Sequence, residues 1–169
     1  MITVFTPTYN RAHTLNQLYQ SLLQQNCYDF EWLVINDGST DDTETLFNEW
    51  LKKKIPFSIR YYAIKNGGKQ RAINRALQLA EGEYFFIVDS DDSLLPHAIT
   101  FIQNAFKSLP KDDLFIGISG IKGGLDGKPL YRIPSIDSTI GYVDANNLER
   151  AQYGLQADMA EAFYTEKIR

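Results

Sequence analysis

An apolar run followed at once by carboxylates constrains this chain more than any other stretch of its sequence. Residues 85–88 are all apolar, which is typical of a strand buried on both faces of a parallel sheet. Asp89, Asp91 and Asp92 follow immediately, and like charges this close oppose one another's ionisation unless a cation lies among them. Ligands bind at the carboxyl ends of strands in open α/β sheets, so the pattern indicates a divalent-cation site. A polar turn that caps the next helix is the alternative.

Strands and helices alternate through the first 120 residues. Apolar runs predict strands, and helical spacing of apolar residues predicts helices. Asp41, Asp42 and Glu44 favour the N-terminus of a further helix. The predicted strands are residues 2–5, 30–35, 57–64, 85–88 and 114–119, and the predicted helices are residues 12–25, 69–80 and 96–106. Gly82 is expected to end the helix before the acidic strand. This alternation predicts an α/β fold with a mostly parallel, doubly wound sheet.

Beyond Gly120 the alternation is lost. Glycines and prolines mark loops, and short strands are predicted only at residues 130–133 and 160–164. We interpret residues 121–169 as a less regular C-terminal flank of the sheet. Residues 165–169 look like the first turn of a helix, so we expect the sequence to be a fragment of a longer chain.

Composition excludes several classes of protein. The 169 residues carry a formal charge of −4, which is unfavourable for a nucleic-acid partner bound through its phosphates. A single cysteine, Cys27, rules out an internal disulfide and fits a reducing compartment. No stretch approaches the length of a membrane span, and no signal peptide is expected. Peripheral association with a membrane stays open.

Three predicted strands end in marked loops, at residues 6–11, 35–39 and 89–92, and a parallel sheet brings these loops to one edge. Together with residues 66–69 and 80–84, these stretches resemble the family 2 glycosyltransferases of the GT-A fold. The resemblance covers about the first 110 residues, and separate motifs agree in order. It implies a Rossmann-like GT-A domain over the whole chain, with a donor-binding half up to residue 120 and an incomplete acceptor-side flank after it.

The resemblance also implies where a nucleotide base would bind. Pro7, Thr8 and Tyr9 would hold the base, with the Tyr9 ring stacked on it, although a tyrosine at a strand end also fits a core position. Asp37 would accept a hydrogen bond from a uracil or guanine ring N–H. The alternative role of Asp37 is to cap the following helix.

Basic residues would lie near the diphosphate of the donor. The resemblance assigns Lys69 and Arg71 to this role, with Gly67 permitting close approach of the backbone. Arg11 is a further candidate. The alternative is a glycine turn followed by solvated side chains, and Asn74 on the same predicted helix is either a polar tie or part of the site.

The acidic loop would hold the metal and the ribose. By resemblance, Asp89 and Ser90 lie close to the ribose, and Asp89 and Asp91 ligate Mg2+ or Mn2+ between the two phosphates. Carboxylate and phosphate oxygens are the ligands that these ions prefer. Asp92 would bind through water or only solvate the loop.

An inverting displacement also needs a general base on the acceptor side. Asp158 is our candidate, Glu161 is the other available acid, and the base would otherwise lie after the last residue of this sequence. His13 and His97 stand at predicted helix starts, and we interpret both as structural or exposed.

The leading hypothesis is a metal-dependent, inverting glycosyltransferase of bacterial polysaccharide synthesis. It would move a sugar from a nucleotide-diphospho-sugar, with UDP favoured, to a glycan or lipid-linked acceptor. Its expected location is the cytoplasm, at the inner face of the membrane. The alternatives are a non-catalytic nucleotide-sugar-binding module and a sugar-nucleotide pyrophosphorylase, which normally has a glycine-rich loop after its first strand. A dinucleotide-dependent oxidoreductase is disfavoured because no Gly-x-Gly-x-x-Gly follows the first strand.

Overall fold

The elements of the fold follow one another much as the sequence predicts. A computed structural model describes residues 1–110, 114–124, 128–130, 145, 149–153 and 158–169. Its elements are β1 (Ile2–Thr8), α1 (Ala12–Leu23), β2 (Phe30–Asn36), α2 (Thr43–Trp50), β3 (Ser58–Ala63), α3 (Lys69–Leu79), β4 (Tyr84–Ile87), α4 (Ala98–Ser108), β5 (Gly117–Ile121), β6 (Met159–Tyr164) and α5 (Thr165–Ile168), with a 3-10 turn at Glu149–Ala151. Among the residues described, no helix is both long and apolar enough to cross a membrane.

The strands form a six-stranded sheet in the order β3-β2-β1-β4-β6-β5. β1 pairs in parallel with β2 and β4, β2 pairs in parallel with β3, and β6 runs antiparallel to β4. The mostly parallel sheet is therefore confirmed. In chain order, β2 and β3 lie on one side of β1, and β4 then lies on the other side of β1. This reversal opens a crevice at the carboxyl ends of β1 and β4, where open α/β sheets bind ligands.

Both faces of the central strands are buried, because helices pack on each. On one face, Phe5 of β1 stacks on Phe85 of β4, with ring centroids 5.3 Å apart, in a cluster that includes Ala72 and Ala76 of α3. On the other face, Trp32 of β2 lies among the aromatic rings of α1 and α2. The apolar runs predicted as buried strands thus form the centre of the sheet.

The chain divides into two compact units. The first comprises Met1–Ile118 with Glu161–Arg169 and carries β1 to β4, most of β6 and all of α5. The second comprises Ser119–Ala160. The proposed division into a donor half and an acceptor flank at residue 120 stays a prediction.

Strand β5 begins later than predicted. The sequence prediction began it at Leu114, but Leu114 and Ile116 are 83% and 52% exposed, and the strand starts at Gly117. A Cβ atom on Gly117 would lie 2.3 Å from the Ala162 carbonyl oxygen, so the close approach to β6 needs a residue without a side chain. The predicted strand at 160–164 is confirmed as β6. The predicted strand at 130–133 falls mostly outside the described residues.

Gly82 has a different role from the one predicted. Helix α3 already ends at Leu79, so Gly82 does not terminate it. A Cβ atom on Gly82 would lie 2.3 Å from the Thr3 amide nitrogen, and the Gly82 N–H donates a hydrogen bond to Thr3 Oγ1 at 2.9 Å. Gly82 therefore allows the chain to cross closely against β1 before it enters β4.

A buried ion pair joins the strands at their amino ends. Glu31 of β2 is 1% exposed, and its Oε2 lies 2.8 Å from Nη1 of Arg60 on β3. The other oxygen, Oε1, accepts hydrogen bonds from Thr3 Oγ1 at 2.6 Å and from the Glu81 N–H at 2.8 Å. Burial by itself would lower the pKa of Arg60, but the hydrogen bond and charge of Glu31 outweigh burial and raise it.

Replacing Arg60 by Met is expected to lower the free energy of unfolding by about 3–5 kcal/mol, because it leaves the Glu31 carboxylate buried without its cation. Urea unfolding followed by circular dichroism measures the loss. The matched control is Arg75→Met on α3, whose guanidinium donates to Gln78 at the exposed surface. A loss for Arg60→Met as small as that of the control would contradict the structural role of the pair.

Candidate functional site

A cavity of about 390 Å3 opens at the carboxyl ends of β1, β2 and β4. The residues that line it are Pro7, Thr8, Tyr9, Arg11, Asp37, Lys69, Ala72, Asp89, Ser90 and Asp91. The structure thus brings together most of the site residues predicted from sequence. Ala72 was not predicted from sequence as a site residue, because its small apolar side chain indicates only the sheet-facing side of α3. A larger cavity of about 460 Å3, beside Gly82 and Thr165, has none of the predicted site residues in its lining.

The loops after β1 and β2 are joined by hydrogen bonds. Asn10 adopts a left-handed conformation with φ 52°, which asparagine tolerates better than most residues. Its N–H donates to Ser39 Oγ at 2.9 Å, and its Oδ1 accepts from the Thr40 N–H at 2.8 Å. Asp41 accepts hydrogen bonds from the Ala12 N–H at 2.9 Å and from Thr43. Partial burial acts to raise the pKa of Asp41, but these hydrogen bonds outweigh it and lower the pKa.

These contacts hold the first loop with Tyr9 turned outward. The Tyr9 side chain is 49% exposed, so it is not a core residue, and its ring is accessible from the cavity that it lines. Thr8 beside it is 3% exposed, and its Oγ1 has no hydrogen-bond partner among the residues that the structure describes. A buried hydroxyl without a partner is costly, and its position in the cavity wall fits a site where a ligand satisfies it.

Asp37 joins β2 to the loop before α3. It is 5% exposed, and its two oxygens accept hydrogen bonds from the Gly67 N–H at 2.8 Å and the Gly68 N–H at 2.7 Å. Gly68 has φ 90°, a conformation that favours glycine. Helix α2 begins at Thr43, so Asp37 does not cap it. Each carboxylate oxygen can accept a second hydrogen bond, which leaves Asp37 able to contact a ligand in the cavity that it lines.

Lys69 contacts the acidic loop directly. It is the first residue of α3, and its Nζ lies 2.6 Å from Asp89 Oδ1. Both side chains are accessible, at 57% and 30% exposure, and the exposed Asp91 lines the same cavity. The ammonium group therefore supplies positive charge where the sequence predicted that a cation is needed.

The remaining basic and polar candidates lie outside the lining of the cavity. Arg71 packs over Gly67, where a Cβ atom would lie 2.4 Å from Arg71 Cδ, so this glycine makes room for an arginine. Asn74 is exposed and accepts a hydrogen bond from Gln70 at 3.3 Å. His13 and His97 are both exposed, in agreement with their interpretation as residues outside the site.

The acidic loop fits a cation that arrives with a diphosphate. Asp89 and Asp91 face one cavity, and within the described part of the chain no group of three or more His, Cys, Asp or Glu side chains is placed to hold a metal. Mg2+ is usually bound in proteins by one or two carboxylates, with substrate phosphates and water completing its shell, rather than by an all-protein cage. Two carboxylates beside a cavity meet that requirement.

The candidate general bases lie in different units. Asp158 belongs to the second unit, where its Oδ2 lies 2.7 Å from Lys122 Nζ. Glu161 belongs to the first unit and lies on β6 directly across from Ile87 of β4. Since Asp89 follows Ile87 by two positions, this register places Glu161 beside the end of the strand that carries the acidic loop.

The comparisons with known proteins agree on one family. The family model described as glycosyl transferase family 2 matches residues 3–159. The teichoic acid poly(glycerol phosphate) polymerase of Staphylococcus epidermidis is 34% identical over 108 residues, which is 63% of this chain and 15% of that protein. The chondroitin synthase of Pasteurella multocida is 35% identical over 106 residues, which is 63% of this chain and 11% of that protein.

A solved structure gives the same result at the level of the fold. A mannosyltransferase from Pyrobaculum calidifontis, in complex with GDP-Man and Mn2+, superposes with a TM-score of 0.62 at 30% identity. The match covers 72% of this chain and 35% of that chain. The sequence therefore spans well under half the length of each of these three proteins.

Replacing Asp37 by Ala is expected to speed hydrogen exchange at the Gly67 and Gly68 amides by about tenfold or more, because each loses a hydrogen bond to a charged acceptor. Exchange measured by NMR at these two amides tests the role of Asp37 in fixing the loop. Asp41→Ala is the matched control, because Asp41 accepts hydrogen bonds from the Ala12 and Thr43 amides. This variant is expected to leave the exchange rates of the Gly67 and Gly68 amides unchanged. Equal exchange in both variants would show that Asp37 does not hold this loop.

Proposed function

Since the chain belongs to glycosyl transferase family 2, we propose that it moves a sugar from a nucleotide-diphospho-sugar donor to an acceptor hydroxyl, with inversion. The donor occupies the cavity at the carboxyl ends of β1, β2 and β4. The observation that carries this proposal is the meeting, in one cavity, of an exposed aromatic ring, a lysine and the two carboxylates Asp89 and Asp91. A nucleotide sugar has a base to stack, a diphosphate to neutralise and phosphate oxygens to share with a cation.

The base lies against Tyr9 and is recognised by Asp37. The exposed Tyr9 ring offers a flat apolar surface for stacking. An Asp37 carboxylate oxygen, which already accepts one backbone N–H, accepts a ring N–H of the base as its second hydrogen bond. The Thr8 hydroxyl gains a hydrogen-bond partner from the ligand. Uracil, guanine and thymine carry such a ring N–H, and a UDP-sugar is our first candidate. The GDP-Man bound by the Pyrobaculum mannosyltransferase makes a GDP-sugar the second.

The diphosphate lies between the basic and the acidic residues of the cavity. Lys69 and Arg11 neutralise phosphate oxygens, while Asp89 and Asp91 hold Mg2+ or Mn2+. When bound, such a cation stabilises the departing nucleoside diphosphate as a Lewis acid. The Mn2+ in the Pyrobaculum structure supports this assignment. Lys69 adds a positive charge at the place where negative charge grows as the sugar leaves.

The acceptor hydroxyl needs a carboxylate that removes its proton. Asp158 is our candidate, and its side chain is 66% exposed. Glu161 is the alternative, because its register with Ile87 places it beside the acidic loop. The two relatives are named for a teichoic acid polymer and for chondroitin, which supports a role in polysaccharide synthesis. The acceptor that we propose is a glycan or a lipid-linked glycan, and the location that we propose is the inner face of the membrane.

Mn2+ is expected to strengthen binding of a UDP- or GDP-sugar, and Asp91→Asn to weaken it by about tenfold or more, because the variant removes a charged ligand of the cation. Calorimetric titration with UDP-, GDP- and dTDP-sugars, with and without Mn2+, measures the effect. Glu49→Gln, an exposed acid on α2, is the control. Tight binding that ignores both Mn2+ and Asp91 would refute the proposed metal-assisted mechanism.

Tyr9→Ala is expected to lower donor affinity by about 1–3 kcal/mol through lost stacking, whereas Tyr9→Phe keeps most of the affinity. The same calorimetric titration compares the two variants with the unsubstituted chain. Tyr28→Ala, which removes another exposed tyrosine ring, controls for general effects on the surface. Unchanged affinity in Tyr9→Ala would place the base elsewhere.

A further inference from the structure

The contact between Lys69 and Asp89 affects how a divalent cation and the donor diphosphate bind together. Lys69 Nζ lies 2.6 Å from Asp89 Oδ1, on a carboxylate that the proposed function assigns to the divalent cation. We propose that Lys69 is an exchangeable counter-ion of Asp89: it competes with the cation for this carboxylate and leaves it for the donor diphosphate. Cation and diphosphate then bind cooperatively. This inference rests on the proposed function, because it takes Asp89 as a cation ligand.

The Lys69 ammonium group and the divalent cation compete for the Asp89 carboxylate. Mg2+ contacts its oxygen ligands at about 2.0–2.1 Å, which is closer than the ammonium group lies to Asp89 Oδ1. An ammonium that stayed on Asp89 would face the double charge of the metal ion across a few ångströms, and this repulsion opposes joint occupancy. Binding of the cation alone must therefore displace Lys69 and leave its charge without a nearby partner.

The Lys69 side chain can change partner while the backbone before it stays fixed. Its side chain is 57% exposed, and an exposed ion pair contributes little stability, so the contact with Asp89 is easily exchanged. The backbone before it is fixed, because Asp37 binds the amides of Gly67 and Gly68. Lys69 lines the same cavity as Asp91 and Arg11, so its ammonium group stays among the donor-binding residues after it leaves Asp89.

A bound diphosphate offsets the cost of displacing the Lys69 ammonium group from Asp89. Its oxygens pair with the displaced ammonium group and also complete the shell of the cation, so each ligand favours the binding of the other. Thermodynamic linkage makes this coupling reciprocal: UDP raises the affinity for Mn2+ by the same factor by which Mn2+ raises the affinity for UDP. A lysine that contacts only the phosphate would strengthen UDP binding without opposing Mn2+.

Titration of Mn2+ alone, followed by the electron paramagnetic resonance signal of free Mn2+, separates these two roles. We expect Lys69→Met to bind Mn2+ about threefold to tenfold more tightly than the unsubstituted chain, because it removes a competing charge. The same variant binds UDP more weakly, and UDP raises its Mn2+ affinity by a smaller factor. Lys69→Arg keeps the charge and stays close to the unsubstituted chain. Arg75→Met, which removes an exposed cation on the same helix, outside the lining of the cavity, is the matched control.

The inference is overturned if Mn2+ affinity in Lys69→Met is unchanged, weaker or too low to measure. An equal gain in Arg75→Met also overturns it. Thermal unfolding of each variant confirms that it is folded. If Mn2+ still strengthens UDP binding and Asp91→Asn still weakens it, the proposed function stands and this inference alone fails. If Asp91→Asn changes neither Mn2+ nor UDP binding, both fail together.

Discussion

The parallel register of β1 with its two neighbours is the constraint on which the site depends. Ile2 lies opposite both Phe30 and Tyr84, so the three strands start level and their carboxyl ends reach the same edge of the sheet. A slip of one residue would turn each buried side chain to the opposite face, and the two-sided burial of β1 and β2 opposes such a slip. The loops that carry Tyr9, Asp37 and Asp89 therefore lie together at this edge, because the packing of the core fixes the register of the strands.

Polar contacts to backbone amides then fix the loops above this edge. Asn10, Asp37 and Asp41 each use side-chain oxygens to bind N–H groups of another loop or of a helix start. These hydrogen bonds hold the loop backbone, while the Tyr9 and Lys69 side chains remain exposed at the cavity. Preorganised donors and acceptors on a fixed backbone bind a ligand with less loss of conformational entropy than mobile ones.

Local patterns predicted the elements and the edge where the site lies, since an apolar run and the acids that follow it are neighbours in sequence. Contacts between distant residues could not be predicted in the same way. Asp37 binds amides 30 and 31 positions away, and Glu31 meets Arg60 across 29 positions. The start of β5 was misplaced for the same reason, because Gly117 is selected by its approach to β6 and not by its own neighbours. Nothing in the composition of residues 114–116 signals that Leu114 and Ile116 remain exposed.

Two ion pairs, Glu31–Arg60 and Asp89–Lys69, show how burial assigns different roles to the same chemistry. Glu31 is 1% exposed and both its oxygens are engaged by Arg60, Thr3 and the Glu81 amide, so removing one partner leaves a charge that water cannot reach. Asp89 is 30% exposed and its contact with Lys69 is screened by solvent, so another cation can take the place of the ammonium group at little cost. The amino ends of the strands therefore carry charges that fix the fold. The carboxyl ends carry charges that a ligand can rearrange.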